Sequence, residues 1–528
     1  MNFAAAYPSR RPTVFGGDMV ATSHALAAQA GLSMLARGGN AIDAAIATAM
    51  TLTVVEPTGN GIGSDAFAIV WDGDRLHGLN ASGRAPKGWT RDRFAGLAAM
   101  PELGWDSVTV PGVVSAWIEL WRRFGSLPLA VIAAPAIRYA RDGYQLTPTI
   151  AMQWKLGAER LRTQPGFVET FLANGSAPAP GERVRLPAHA TTLERIVASE
   201  GDDFYRGELA ERMVAHAARN GGALALDDLA GHKADWVGTI AQSAFGTRVH
   251  EIPPNGQGIA TLIALAILDR LGIGSDPVDD VATVHLMIEA TKVGLADLYA
   301  HVADPDTMLV PASALLDPAY VAERAKLVDR DTAGGPGHCA PKRGGTVYLC
   351  TADRGGRMVS YIQSNYMGFG SGVVVPGTGI SLQNRGAGFD LAPDHPNVVA
   401  PGKRPFHTII PGFALDGAGR PLMAFGVMGG PMQSQGHVQM AVRILGYGQS
   451  PQAAADAPRW RVTSGRRVSV EASFPATLAE GLRAKGHDVV VETPEAVFGF
   501  GGAQAICRSA DGYVGGSDPR KDGQAVAF

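Results

Sequence analysis

The chain has 528 residues, of which 18% are charged, and its 46 Lys+Arg against 49 Asp+Glu leave a formal net charge of −3. That balance supplies no basic field to concentrate nucleic acid or an anionic membrane, so the expected partner is a small molecule. Charged residues fall below the usual level of about 25%, and the 67 glycines exceed the average of roughly 7%, which together describe an apolar chain rich in tight turns.

The opening "MNFAAAYPSRRPTVFGG" lacks a long apolar core between a basic start and a small-residue cleavage site, so no secretory signal is expected. From His24 to Arg37 apolar residues recur at helical spacing, and Gly38-Gly39 predicts the end of that helix. Asn40 then caps a second helix, "AIDAAIATAMTL", with Asp43 at its third position favoured by the positive end of the dipole. Similar patterns in "VPGVVSAWIELWRRFG", "GIATLIALAILDRLG" and "VATVHLMIEATKVGLADLYAHV" give the first two thirds a helical bias. The longest charge-free apolar run, Ile259 to Leu268, is about half of what a membrane span needs, so a soluble cytoplasmic protein is expected.

In the last third the pattern changes. "TVYLCTAD", "GRMVSYIQS" and "RVSVEA" read as strands, and Asp353-Arg354-Gly355-Gly356 supplies the turn between the first two. Between Leu327 and Gly345 the chain has neither helical nor strand period and is dense in Gly, Pro and charge, a loop of unusual length. Cys339, Cys350 and Cys507 have no CxxC spacing, which predicts reduced thiols rather than a disulfide framework or a zinc site.

Several chemistries lack their motifs: no GxSxG, HExxH or GxxxxGK[ST] occurs. "GNGIG" at Gly59 to Gly63 lacks the third glycine of a dinucleotide fingerprint and reads as a structural turn. His285 and Glu289 lie four apart on a helix without a third ligand nearby in sequence, and read as helix-face residues. No metal and no cofactor is expected.

Attention falls on "KRGGTVYLC", where Gly344 and Gly345 precede a threonine that opens a strand. A threonine hydroxyl is a weak nucleophile without a base, and one available base is the residue's own α-amino group once the preceding peptide is cut. That amine titrates near 7.7–8.0, against about 10.4 for lysine, so an appreciable share is free at neutral pH. The glycines permit backbone conformations in which Thr346 attacks the preceding carbonyl; cleavage there gives chains of 345 and 183 residues. Taken alone, Gly-Gly-Thr before a strand is also an ordinary turn.

The chain resembles the γ-glutamyltranspeptidase family of N-terminal-nucleophile hydrolases over nearly its whole length. The resemblance rests on Met19 to Gly63, "GFGSGVVVPGTGISLQN" at Gly368 to Asn384, "PGKRPFHTIIP" at Pro401 to Pro411, "GVMGGPMQSQ" at Gly426 to Gln435 and "GGSDPRKDGQA" at Gly515 to Ala525. It implies an α+β fold, a four-layer αββα sandwich, with residues 1–345 as the large subunit region and 346–528 as the small one, intertwined in one domain. It also implies self-cleavage before Thr346 and amide hydrolysis or acyl transfer through an acyl-threonine. Gly429 and Gly430 match the family's oxyanion-hole glycines, and Ser364 matches a hydroxyl residue that hydrogen-bonds the nucleophile.

The pocket residues depart from the family. A γ-glutamyl donor needs an acid for its ammonium and a guanidinium for its carboxylate. The family's binding asparagine becomes Tyr366, and its Asn-Gln-Met-Asp-Asp segment becomes Asn384-Arg385-Gly386-Ala387-Gly388. Its second threonine becomes Val347, and its paired serines become His407 and Thr408; Arg84 is the candidate for its carboxylate-binding arginine, subject to a gap. Arg385 in place of a neutral glutamine makes this pocket cationic, which suits an acyl group bearing a carboxylate and no amine, such as oxamate or a glutaryl amide. The sequence is similar to the branch containing oxamate amidohydrolases and cephalosporin acylase-like proteins. Two alternatives stay open, a γ-glutamyltransferase or glutathione hydrolase and an unprocessed binding protein; the number of αβ units, one or a dimer, stays open as well.

Overall fold

The structure is a computed structural model that describes residues 11–172, 175–335 and 345–528. Gly344 and Cys339, singled out in the sequence, lie outside the described residues. Cys350 and Cys507 are buried free thiols. Among the described residues no helix is long and apolar enough to cross a membrane.

Two seven-stranded antiparallel sheets form the centre. One contains the threonine hairpin, Gly345–Ala352 paired with Met358–Tyr366, flanked by Met19–Thr22 on one side and Asp65–Trp71 on the other. The second is built around Pro421–Met428, between Gly412–Leu415 and Gly502–Ser509. Side chains from both sheets meet in a shared apolar layer that includes Phe67, Tyr348, Ile362, Phe413 and Ile506, all fully buried.

Helices cover both outer faces. Ala41–Val55 packs under the hairpin sheet, and every one of its residues is buried. Asn40 caps it as expected, with Asp43 completing a reciprocal capping box. The hairpin itself fixes this helix start: the Asp353 carboxylate accepts from Ala41 N at 2.9 Å, and the Thr351 hydroxyl donates to Ala41 O at 2.6 Å. Gly258–Leu271, Val281–His301 and Met432–Ala441 cover the second sheet. The architecture is the αββα sandwich that the family resemblance implies.

The first two thirds hold more strand than their helical bias suggests. Asp65–Trp71 is buried at every position because helices cover one face and the second sheet the other. A strand buried on both faces loses the alternation by which strands are read. His285 and Glu289 need correcting too. They do lie on a helix, Val281–His301, but buried, and the fold supplies the missing third group: candidate ligand atoms of His285, Glu289 and His487 all lie within 4.8 Å of one another. Lys292 Nζ, 2.7 Å from Glu289 Oε1, already balances that carboxylate.

Near the C-terminus a buried ion cluster closes the second sheet. Asp518 accepts from Arg459 Nη2 at 2.5 Å, Arg520 Nη1 at 3.1 Å and Ala503 N at 2.7 Å. Burial alone would raise this carboxyl, but Arg459 and Arg520 outweigh it and hold the group at about 2. A depressed carboxyl pKa contributes stability that is complete above the unfolded value near 4 and is lost as pH falls toward 2. The contribution is roughly 2–3 kcal/mol. Asp518→Asn is therefore expected to cost about 3–5 kcal/mol at neutral pH, since it leaves the buried Arg459 guanidinium without a counter-ion while Arg520 keeps Glu471. Urea midpoints at pH 7 and pH 3 check this, and the loss should be smaller at pH 3.

Candidate active site

Thr346 sits on a bulge. The ladder pairs Gly345 with Tyr366 and Val347 with Gln363, and the register shifts between Gly345 and Val347. Bulges of this kind re-aim a side chain at the end of a rigid ladder. The Thr346 hydroxyl lies 2.7 Å from Gly345 O and 3.1 Å from Ser364 Oγ, while the Ser364 hydroxyl lies 2.7 Å from the same carbonyl. Two N–H groups enter from outside, Tyr366 N donating to Ser364 Oγ at 2.7 Å and Gln433 Nε2 to Thr346 Oγ at 3.3 Å. Thr346 has one hydroxyl proton, which goes either to the Gly345 carbonyl or to Ser364; in the second arrangement Ser364 donates in turn to the Gly345 carbonyl. Such a relay draws the proton away from Thr346 and polarises the carbonyl beside it.

Thr346 and Gly429 share the wall of a cavity of ≈ 430 Å³. Gly429 and Gly430 have φ values of +129° and +62°, the left-handed side of backbone space where glycine is favoured. Neither N–H makes a backbone hydrogen bond among the described residues. Gln257 holds this turn from behind, donating through Nε2 to Gly430 O at 2.8 Å and also to Thr408 O.

Tyr366, Arg385, His407 and Thr408 come together, but behind the cavity wall. Arg385 is 1% exposed, its guanidinium 4.9 Å from the Tyr366 ring centroid, and its Nη1 donates to Thr408 Oγ at 2.8 Å. Its Nε and Nη2 are buried without a partner. Those two donors form the side-on edge of the guanidinium, the geometry that grips a carboxylate. Burial lowers Arg385 to about 10, with Asp65 opposing. Asp65 itself is raised to about 7 by burial, against Arg385 and the N–H groups of Gly83 and Gly112. His407 Nε2 lies 3.2 Å from Asp65 Oδ2, and burial followed by Arg385 holds the imidazole well below its usual range, so it is neutral.

The Tyr366 ring lies against the Arg385 guanidinium and packs with Met367 and Ala387. Tyr366 adopts φ +76°, a strained conformation for a bulky residue, held by its N–H bond to Ser364 and by Met367 N donating to Asn384 Oδ1 at 3.1 Å. Gly388 leaves no space for the family's acid: a Cβ there would stand 2.5 Å from Phe406 O. Arg84 does not join this group. Its guanidinium is committed to Asp304 at 3.2 Å and to Gly402 O at 3.2 Å.

Sequence reasoning missed several residues of this site. Gln433 and Gln257 are uncharged and carry no motif of their own. Glu56, Arg461 and Lys521 line the cavity but come from three separate parts of the chain. Glu56, a lone acid ending an apolar run in "TLTVVEPT", was the one with a readable signal.

The gamma-glutamyltranspeptidase family model matches residues 27–528. The chain is 40% identical over 528 residues to the oxamate amidohydrolase proenzyme of Klebsiella pneumoniae, covering 97% of this chain and 98% of that one. It is also similar to the crystal structure of cephalosporin acylase from Bacillus halodurans, at 48% identity and a TM-score of 0.95, covering 100% of this chain and 99% of the other. A match of that extent, on a sandwich that places a threonine at the head of its central hairpin, means that the chain belongs to the γ-glutamyltranspeptidase family and is an amide-hydrolysing enzyme of the N-terminal-nucleophile kind.

Proposed function

We propose that the protein is a self-processing amidohydrolase that acts on small acyl amides bearing a carboxylate, oxamate or glutaryl in type, through an acyl-Thr346 intermediate. The observation that carries the substrate class is the unpaired side-on edge of Arg385, buried one layer behind the nucleophile. A buried guanidinium with two unsatisfied donors is costly unless a ligand completes it. Relatives described as an oxamate amidohydrolase proenzyme and a cephalosporin acylase support the same reading.

In maturation, Thr346 Oγ attacks the Gly345 carbonyl carbon while Ser364 donates to the carbonyl oxygen. The C–N bond breaks as the C–O bond forms, and the hydroxyl proton ends on the released α-amine. Water then splits the ester, leaving Gly345 as a carboxylate and Thr346 as an N-terminus. In turnover the free α-amine takes the Thr346 proton as Oγ attacks the substrate carbonyl, and the Gly429 and Gly430 N–H groups receive the oxyanion. Collapse returns the proton to the departing amine, and water releases the acyl group as an acid. One such oxyanion donor is typically worth about 2.7–4 kcal/mol.

Two features favour this over the γ-glutamyl alternative. Among the described residues, the acid that acts on the Arg385 guanidinium is Asp65, which already accepts from His407 and two backbone N–H groups. The acid that the family places at Gly388 has no room there.

Freshly made protein should convert by first-order kinetics, independent of concentration, into chains that end at Gly345 and begin at Thr346, whereas Thr346→Ala should remain one chain. Intact mass spectrometry over time checks this, and cleavage of the alanine variant at that bond would sink the mechanism. The mature enzyme should hydrolyse a glutaryl anilide at least about 10²-fold better, in kcat/KM, than the matched γ-glutamyl anilide. Arg385→Gln should erase most of that gap. Gly388→Asp is not expected to restore γ-glutamyl activity; thermal unfolding should show a cost of about 1–3 kcal/mol from overpacking against Phe406.

A further inference from the structure

The carboxylate that the proposed substrate brings to Arg385 is not the first anion there. Asp65, at the head of the strand Asp65–Trp71, is fully buried. After burial itself, Arg385 is the strongest influence on the charge of Asp65, and Asp65 on that of Arg385. Among the described residues the two make no ion pair, so Asp65 balances the guanidinium from a distance and leaves its Nε and Nη2 unpaired. A substrate carboxylate on that edge would put two carboxylates and one guanidinium in a space closed to solvent. Like charges so placed disfavour each other's ionised form.

Asp65 has one oxygen available for a proton. Its Oδ1 accepts from Gly83 N at 3.2 Å and Gly112 N at 3.0 Å, whereas Oδ2 faces His407 Nε2 at 3.2 Å. The imidazole is fully buried, edge-on to Phe67 with 4.8 Å between ring centroids, and its Nδ1 accepts from Ile409 N at 3.4 Å. With Asp65 ionised the pair holds one proton, on His407 Nε2. A second proton settles on Asp65 Oδ2, which then donates to Nε2, while the imidazole proton moves to Nδ1. The rearrangement gives up only the 3.4 Å contact from Ile409, which is too long to contribute much.

The other charged and titratable groups acting on this pair are committed elsewhere. Arg404 donates to Ser82 O at 3.0 Å and pairs with Asp235 at 2.9 Å. The Tyr205 hydroxyl donates to Pro111 O at 3.0 Å, and burial raises it well above the neutral range. Tyr366, against Arg385, is likewise pushed up to about 12 by burial. Asp65, raised to about 7 by burial against the pull of Arg385, is the group poised to change its charge near neutrality.

We propose that the Asp65–His407 pair determines acyl specificity by taking up one proton, on Asp65 Oδ2, as the substrate carboxylate seats on Arg385. The inference rests on Arg385 as the acyl-carboxylate site and adds the condition under which that site accepts an anion. The proton cancels the charge that the substrate brings, and an acyl group without a carboxylate draws none. By linkage, binding that takes up a proton weakens as pH rises, by up to about tenfold per pH unit once Asp65 is ionised in the free enzyme. That window opens at about pH 7 and extends upward.

The test uses the processed enzyme and two anilides, glutaryl and pentanoyl, which differ in the terminal carboxylate. Both share one nucleophile and one leaving group, so the ratio of their kcat/KM values cancels the titration of the Thr346 amine and the folded fraction. Wild type should favour the glutaryl anilide at pH 6.5 and lose at least about fivefold of that ratio by pH 8.5. Asp65→Asn, whose amide can donate to His407 as the protonated acid does, should hold the ratio constant within about twofold over the same range. A calorimetric measurement needs no variant. Binding of 5-oxohexanoate, a methyl ketone that keeps the glutaryl carboxylate and has no bond to hydrolyse, should take up at least about half a proton at pH 7.5, read from two buffers of different ionisation enthalpy, and 2-hexanone should take up none. A wild-type ratio that does not move with pH, a slope that survives Asp65→Asn, or binding of 5-oxohexanoate without proton uptake overturns the inference and leaves Arg385 in place as the carboxylate site. Failure of the Arg385 reading looks different: the glutaryl anilide would not be favoured at any pH, and both would fall together.

Discussion

The position of Thr346 depends on a ladder that cannot slip. The strands Gly345–Ala352 and Met358–Tyr366 lie mid-sheet, between a helical layer on one face and the second sheet on the other, and almost every residue in them is buried. A shift of one residue would turn Tyr348 and Ile362 out of the layer between the sheets and into the helical layer, whose cavities are shaped for Leu349 and Tyr361. Each large apolar side chain so misplaced would have to be forced into a layer packed for another shape, at a cost of about 1–3 kcal/mol. Register is therefore over-determined by packing, and the bulge at the open end of the ladder re-aims Thr346. The turn at the other end reinforces the arrangement, because Asp353 and Thr351 tie the hairpin to the first residue of the helix beneath it.

Around that fixed point the protein keeps its charges in separate compartments. Arg385 is buried against the Tyr366 ring with its Nε and Nη2 unpaired, Nη1 donating to Thr408 Oγ, and Asp65 and the neutral His407 acting on it electrostatically. Thr346 has Ser364 Oγ 3.1 Å from its hydroxyl and shares a cavity wall with Gly429 and Lys521. Strain at Tyr366 belongs to the same design: a bulky residue at φ +76° is retained only because Ser364, Asn384 and the ladder together hold the turn.

Much of the fold was legible in the sequence, and the exceptions have physical causes. The capped helix at Ala41, the hairpin and its Asp-Arg-Gly-Gly turn follow from local rules that tertiary context does not override. Strands such as Asp65–Trp71 were hidden because burial on both faces removes alternation. At the site, family resemblance supplied Thr346, Ser364 and the glycine pair by position, and the geometry brings all four to one place. Charge substitution flagged Arg385, but which of its donors are used is set by the fold around it. Arg84 was drawn in by sequence proximity to an Ala-Pro pair, and its side chain answers to Asp304 instead. Glu56, Gln433 and Lys521 escaped notice because their meeting point is created by the two sheets and lies nowhere along the chain.

The central claim is that Thr346 carries the acyl group during turnover. Acid-quenching the mature enzyme in the steady state with glutaryl anilide, followed by intact mass and peptide mapping of the 183-residue chain, tests it directly. The account predicts a glutaryl adduct on the N-terminal threonine that disappears once substrate is exhausted. A chain that stays unmodified while product accumulates, or an adduct mapped to any other residue, would contradict it.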